Sequence, residues 1–272
     1  MRVVVISQVL PAVNGYTTFL RALGHEPVAL LCTRVGAERY PELGQTIFGA
    51  PAEVDVVMPA TRAQIAPLLR TYEPDLALCT GFPWKIPAEA LAVPKHGIVN
   101  GHPSLLPRYR GPHPVSWAIR NGETEIGFTF HYMDAELDTG AILAQTTIPL
   151  DDERSWDELE PKVVTAVSDI FPGALERVER GDPGDPQREE DATYFSTFEP
   201  EYAWIDRSRS ADEVERQVRA WRFHSQGEGT HGALADLDGE VLRVLRVSRQ
   251  PAPGRELDCA DGKLWIVESE PA

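Results

Sequence analysis

VVVISQVLPAVNGYTTFLRALGHEPVALLC, residues 3–32, reads as strand, helix, strand. Val3 to Ile6 is an uninterrupted, mostly β-branched run, the pattern of a strand covered on both faces. Tyr16 to Leu23 has helical character, and Val28 to Cys32 is a second apolar run. Val54 to Met58 and Leu76 to Thr80 repeat the strand pattern, with a helical stretch at Ala60 to Tyr72 between them. This alternation predicts an α/β, Rossmann-like sheet that is mostly parallel and carries helices on both sides. Right-handed crossovers place its functional crevice beyond the carboxyl ends of the strands.

Farther along, Ile126 to Tyr132 and Ala141 to Ile148 read as two more strands, joined by a polar loop at Met133 to Gly140. A loop of that kind suits an antiparallel pair, which would make the sheet mixed. A long helix is predicted from Ser155 to Arg180, with Ser155 as its cap and Glu158 three residues on. GDPGDPQREED, from Gly181 to Asp191, has the proline, glycine and charge content of a linker. Ala211 to Phe223 is an amphipathic helix. Short strands at Ala233 to Asp236, Val241 to Val247 and Leu264 to Val267 are punctuated by Asp238-Gly239 and Asp261-Gly262. The expected organisation is a catalytic domain over 1–182, a linker over 183–192 and a small β-rich domain over 193–272.

Composition excludes several classes of function. With 42% apolar and 25% charged residues, the 272-residue chain has the make-up of a globular protein. No apolar run approaches the roughly 20 residues of a membrane span, and MRVVVISQVL lacks the features of a signal peptide. A cytoplasmic protein with no membrane partner is expected. Cys32 and Cys79 lie in strand-like runs and Cys259 is remote from both, so buried thiols are expected rather than a disulfide. The net charge is −16, and from Thr193 onward ten basic residues face fifteen acidic ones. Nucleic-acid backbones are gripped by clustered cations, so a nucleic-acid substrate is disfavoured. The choice between monomer and homodimer is left open.

The chemistry concentrates in GIVNGHPSLLPRYRG, Gly97 to Gly111. Asn100 and His102 are two apart in an extended segment and project from the same side of a strand end. Gly101 between them leaves the backbone accessible, and Pro103 stiffens the next residues of the chain. An amide donor beside an imidazole suits acyl transfer, one stabilising an oxyanion and the other taking a proton from an amine. Asp138, in HYMDAELDTGAI, is the candidate to orient the imidazole. Three plainer readings compete with this one. His102 could be a structural histidine. Asp138-Thr139-Gly140 could be a turn; an aspartic protease would need two such triplets and the chain has one. A metal site drawing on His96, His102, His113 or His131 would lack any recognised zinc spacing. Asp151-Asp152-Glu153 reads as a solvated surface turn.

Taken together these residues resemble the folate-dependent formyltransferase family, which includes methionyl-tRNA, glycinamide ribonucleotide and sugar N-formyltransferases and formyltetrahydrofolate hydrolases. The resemblance rests on Asn100, His102, Ser104-Leu105-Leu106-Pro107, Arg110-Gly111 and Leu137-Asp138-Thr139-Gly140, and it covers Asp75 to Ile148 well. It implies 10-formyltetrahydrofolate as formyl donor, no metal, and Asn100, His102 and Asp138 as catalytic residues. It places the folate between Gly81–Pro87 and His131–Asp138, with Phe82, Trp84 and Ile86 on one wall and Met133 and Asp134 on the other. Arg108 and Arg110 are positioned to meet an anionic acceptor, and a structural role for them is equally open.

SQVLPAVNGY replaces the glycine-rich phosphate loop expected for a glycinamide ribonucleotide acceptor. Trp204-Ile205-Asp206, Arg209-Ser210-Ala211 and Val218-Arg219-Ala220 resemble the start of the OB-like domain appended to the methionyl-tRNA and aminosugar enzymes, here in abbreviated form. Low basicity and mixed charge in TRVGAERYPELGQ (33–45) point to a small-molecule amine as acceptor, such as an aminosugar nucleotide or an amino-acid-derived metabolite. Methionyl-tRNA formyltransferase, formyltetrahydrofolate hydrolase and a non-enzymatic folate-binding protein are the alternatives.

Overall fold

The computed structural model describes residues 1–34, 43–224 and 232–272; much of the loop at 33–45 lies outside them. In chain order the elements are β1 (Arg2–Ser7), α1 (Leu10–Ala22), β2 (Glu26–Leu31), α2 (Leu43–Phe48), β3 (Asp55–Val57), α3 (Ile65–Tyr72), β4 (Leu76–Thr80) and α4 (Ala88–Leu91). They continue as β5 (Ile98–His102), α5 (Pro114–Arg120), β6 (Glu125–Tyr132), β7 (Ile142–Pro149), α6 (Trp156–Glu179) and α7 (Ala211–His224), then β8 (Ala233–Leu237), β9 (Glu240–Ser248), β10 (Arg255–Cys259) and β11 (Gly262–Pro271). The predicted strands are present; β10 is an additional one. α1 begins at Leu10, well before Tyr16, because Pro11 pre-sets the first helical turn. The helix expected at Ala60 opens instead as a 3₁₀ turn, Arg62–Gln64. Here the Gln64 side chain folds back to accept hydrogen bonds from the Ala60 and Thr61 N–H groups, and α3 comes next.

Contacts divide the described chain into two units. The first comprises Met1–Gly111, Gly127–Ile148 and Lys162–Tyr194; the second comprises Pro112–Ile126, Pro149–Pro161 and Phe195–Ala272. The first unit is built on a seven-stranded sheet ordered β3-β2-β1-β4-β5-β6-β7. Neighbouring strands from β3 to β5 pair in parallel, and β6 pairs antiparallel to β5, so the mixed, mostly parallel sheet is as expected. Val3 to Ile6 are fully buried, as a strand covered on both faces requires. Cys32 and Cys79 are buried thiols.

One face of the central strands meets an aromatic stack. Tyr16 of α1 lies 5.5 Å from Phe171 of α6, centroid to centroid, and 6.2 Å from Phe130 of β6. The Tyr16 hydroxyl is hydrogen-bonded to Thr80, whose Oγ1 donates to the Gly101 carbonyl at 2.9 Å. That chain ties α1 through β4 to the segment between Asn100 and His102. Gly101 is buried, and a Cβ there would stand 2.5 Å from the Tyr16 hydroxyl and 2.9 Å from Phe128. The expectation that this glycine exposes the backbone is therefore corrected: it lets α1 and β6 close on β5.

The second unit contains a four-stranded antiparallel sheet ordered β10-β11-β9-β8, together with α7. Within it Arg120 of α5 forms a bidentate pair with Glu199 and lies 3.7 Å from the centroid of the Tyr202 ring. Asp151 and Asp152 are exposed, but Glu153 is not part of a solvated turn. It is buried because its carbonyl accepts from Arg219 Nε at 2.6 Å and its carboxylate lies 3.6 Å from the same guanidinium.

Gly101→Ala is expected to lose about 2 kcal/mol of stability through overpacking. Urea denaturation checks this, and a loss below about 0.5 kcal/mol would mean that Tyr16 moves aside without cost.

Candidate active site

β5 ends in the parallel part of the sheet and delivers Asn100 and His102 at its carboxyl end. Because β6 runs antiparallel to it, His131 falls directly opposite Asn100. The two faces of β6 divide the work. Phe128 and Phe130 join the aromatic core, while Thr129 Oγ1 donates to the Ser104 carbonyl at 2.6 Å and accepts from Leu106 N–H at 3.3 Å. The loop after β6 then turns back, bringing Asp138 to the same strand end. Asp138 has φ 58°, in the left-handed region that non-glycine residues adopt only when their surroundings hold them there.

The carbonyl partners fix both imidazole tautomers. His131 Nδ1 lies 2.8 Å from the Tyr132 carbonyl, which can only accept, so Nδ1 carries the proton. Burial, reinforced by nearby His102, pushes the His131 pKa down to about 4, against the opposing pull of Asp138. The neutral ring leaves Nε2 as an acceptor, and Asn100 Nδ2 donates to it at 3.1 Å. The Asn100 carboxamide is thereby oriented with its NH₂ group known. In His102 the arrangement is reversed: Nε2 donates to the Tyr109 carbonyl at 2.9 Å, so the basic nitrogen of the neutral ring is Nδ1. Asp138 Oδ1 lies 3.7 Å from that nitrogen and 3.8 Å from His131 Nε2. These distances are too long for hydrogen bonds but close enough to stabilise charge on His102. Asp138 Oδ2 accepts from the Gly111 N–H at 2.9 Å.

The other residues singled out from the sequence take several different places. Phe82 and Trp84 meet edge to face at 5.8 Å and are partly buried, as is Met133; all three pack on a core cluster that includes buried Ile86. Asp134 is exposed, and its Oδ1 accepts from Glu136 N–H and the Thr139 hydroxyl, which organises its own loop. Lys85 and Glu136, 3.6 Å apart, link the two loops. Arg108 is exposed, with its guanidinium 5.4 Å from the Tyr109 ring centroid. Arg110 is buried and committed to Gln187 and Glu189. Among the described residues no group of three or more His, Cys, Asp or Glu is placed to hold a metal ion.

A family model described as formyl transferase matches residues 51–175. The methionyl-tRNA formyltransferase of Pseudomonas fluorescens is 31% identical over 273 residues, spanning 93% of this chain and 82% of that protein. The chain belongs to the formyl transferase family. The methionyl-tRNA formyltransferase of Citrifermentans bemidjiense is 35% identical over 214 residues, covering 74% of this chain and 65% of its own length. HypX from Aquifex aeolicus, solved in complex with tetrahydrofolic acid, superposes with a TM-score of 0.72 at 22% identity. That match covers all of this chain and 44% of HypX, and it shows the fold.

Asn100, His102 and Asp138, singled out from the sequence, meet at one strand end, where they are joined by His131, which the sequence offered only as a candidate metal ligand and as the first residue of the loop 131–138. A single polar ring inside the apolar strand FTFHY was the available signal, and only the β5–β6 register turns it into a partner for Asn100.

The His131 ring is expected to stay neutral from pH 8 down to pH 5, with no titration of its Cε1 proton by NMR in that range; a midpoint above pH 6 would contradict the buried tautomer. An unfolded chain takes up this proton near pH 6.5 and the folded one only near pH 4. Stability linked to His131 is therefore intact above pH 6.5 and declines as pH falls toward 4, by roughly 3 kcal/mol at most.

Proposed function

We propose that the chain transfers a formyl group from 10-formyltetrahydrofolate to a primary amine. The observation that carries this reading is the pairing of opposite roles at the end of β5. Asn100 presents a fixed N–H donor, and His102 keeps its basic Nδ1 3.7 Å from the Asp138 carboxylate. Family membership and the fold it shares with tetrahydrofolate-bound HypX support the donor.

The residues suit a folate. Phe82, Trp84 and Met133 offer partly buried apolar surface for a flat heterocycle, in two loops near the catalytic strand end. When bound, 10-formyltetrahydrofolate supplies an electrophilic formyl carbon on a nitrogen that can leave. Asn100 Nδ2 donates toward the formyl oxygen as negative charge develops on it. His102 Nδ1 accepts the proton of the attacking amine and returns it to the departing nitrogen, while Nε2 stays on the Tyr109 carbonyl. Asp138 stabilises the imidazolium between those two events.

For the acceptor, the relatives named methionyl-tRNA formyltransferase favour the amine of methionyl-tRNA. A second reading, a small-molecule amine, has its own observation. In the second unit Arg209, Arg219, Arg243, Arg246, Arg249, Arg255 and Lys263 all lie against carboxylates. Cations already paired are weak phosphate ligands, and the chain carries net charge −16. On either reading Arg108 is the candidate contact for an anionic acceptor, and Arg110 serves the scaffold.

The test is release of tetrahydrofolate from 10-formyltetrahydrofolate with methionyl-tRNA, aminosugar nucleotides, amino acids or no amine. Release that needs an amine supports transfer and names its acceptor; equal release without one makes the protein a hydrolase. His102→Ala and Asp138→Asn are each expected to lower kcat about 100-fold or more, and near wild-type turnover in both would overturn the assignment. If methionyl-tRNA is the acceptor, its affinity should fall by about 10³-fold or more between 50 and 200 mM salt, whereas a small amine's KM should move little.

A further inference from the structure

Resting on the formyl-transfer reading, we propose that Gln187 is a positioning residue for that reaction, holding the Asp138 carboxylate in place from the segment after α6. Asp138 has a strained backbone and is followed by Thr139 and Gly140, where any side chain is excluded: a Cβ on Gly140 would stand 1.8 Å from the Tyr132 carbonyl oxygen. A loop in this state relaxes unless something outside it fixes its carbonyls.

Gln187 supplies that restraint with one carboxamide. Its Nε2 donates at 2.8 Å to the Asp138 carbonyl and at 2.8 Å to the Gly140 carbonyl. Its Oε1 accepts from Arg110 Nε at 3.1 Å and from Arg110 Nη2 at 2.8 Å. Both donors and both lone pairs are thus used, and the orientation is unambiguous because carbonyls only accept and a guanidinium only donates. Arg110 is held in turn by Glu189, at 3.1 Å and 2.7 Å. The segment itself is pinned at both ends. Asp185 and Ile142 exchange backbone hydrogen bonds at 2.8 Å, and Thr193 N–H donates to the Pro107 carbonyl at 3.1 Å.

The same clasp reaches the imidazole. Thr193 Oγ1 accepts from the Tyr109 N–H at 2.8 Å, and the Tyr109 carbonyl is the partner of His102 Nε2. Tyr109 is also in the left-handed region, at φ 60°. Two strained residues, Asp138 itself and Tyr109, whose carbonyl holds His102, are therefore fixed by the stretch 185–193. The four hydrogen bonds of Gln187 go to Arg110 and to the Asp138 and Gly140 carbonyls, so it acts through Asp138.

The Gly111 N–H, bonded to Asp138 Oδ2, reports the carboxylate's position independently of turnover. In Gln187→Ala the Gly111 amide should exchange with solvent deuterium at least about tenfold faster, while β5 amides stay protected. In the same variant kcat should fall about 10-fold to 100-fold with KM for the formyl donor within about twofold. Gln187→Glu keeps the size and the Arg110 pairing but loses both donors, so it should reproduce the effect in a protein that remains folded. Unchanged Gly111 exchange in Gln187→Glu, or unchanged kcat where the wild type turns over, overturns the proposal. A wild type without formyl transfer, in which Gly111 still loses protection on substitution, retires the transfer reading and supports the clasp.

Discussion

The reversal of strand direction between β5 and β6 is the constraint on which the site depends. Strands up to β5 point the same way and gather their carboxyl ends at one edge. An antiparallel β6 sets His131 across from Asn100 and Thr129 across from His102. Were β6 parallel, the loop carrying Asp138 would leave from the same edge as β5's own exit loop, and His131 would not meet the amide. The meeting of Asn100 and His131 is thus a consequence of sheet topology.

Packing behind β5 makes that register rigid. Gly101 admits Tyr16 and Phe128 to van der Waals distance of the backbone, and the Tyr16–Thr80–Gly101 chain of hydrogen bonds places the strand along its length. Asn100 and His102 then inherit their direction from the pleat. Which ring nitrogen carries the proton is set by carbonyls at fixed places: Tyr132 for His131 and Tyr109 for His102. Two histidines of like chemistry present different nitrogens, His131 turning Nε2 to the Asn100 amide and His102 turning Nδ1 toward Asp138, because each carbonyl selects a different ring nitrogen.

Of the three described non-glycine residues of the first unit with positive φ, Glu73 caps the end of α3 and the other two lie at the candidate site. Tyr109 and Asp138 both occupy the left-handed region, and both are held through backbone contacts with the stretch 185–193. Its proline, glycine and charged residues read as a spacer, yet Arg110, Gln187 and Glu189 form a bonded set within it and beneath it. Composition reports the cost of ordering a segment; it does not report what partners will offset that cost.

The sequence by itself determined the class of fold and singled out Asn100, His102 and Asp138 as candidates for one site. Apolar runs such as Val3 to Ile6 leave little choice but a buried parallel strand, and a two-residue spacing puts Asn100 and His102 on one side whatever surrounds them. Only the tertiary structure decided that Gly101 is a packing site, that Glu153 is buried against Arg219, that Arg110 is bonded to Gln187, that His131 meets Asn100 and that Gln187 meets the Asp138 carbonyl. Each of these depends on residues distant in the chain meeting through the fold, as Asn100 and His131 do across 31 positions and Arg110 and Gln187 across 77. Periodicity and spacing encode neighbours along one strand or helix, whereas a register between strands, or a hydrogen bond across a sheet end, is fixed only when the elements pack.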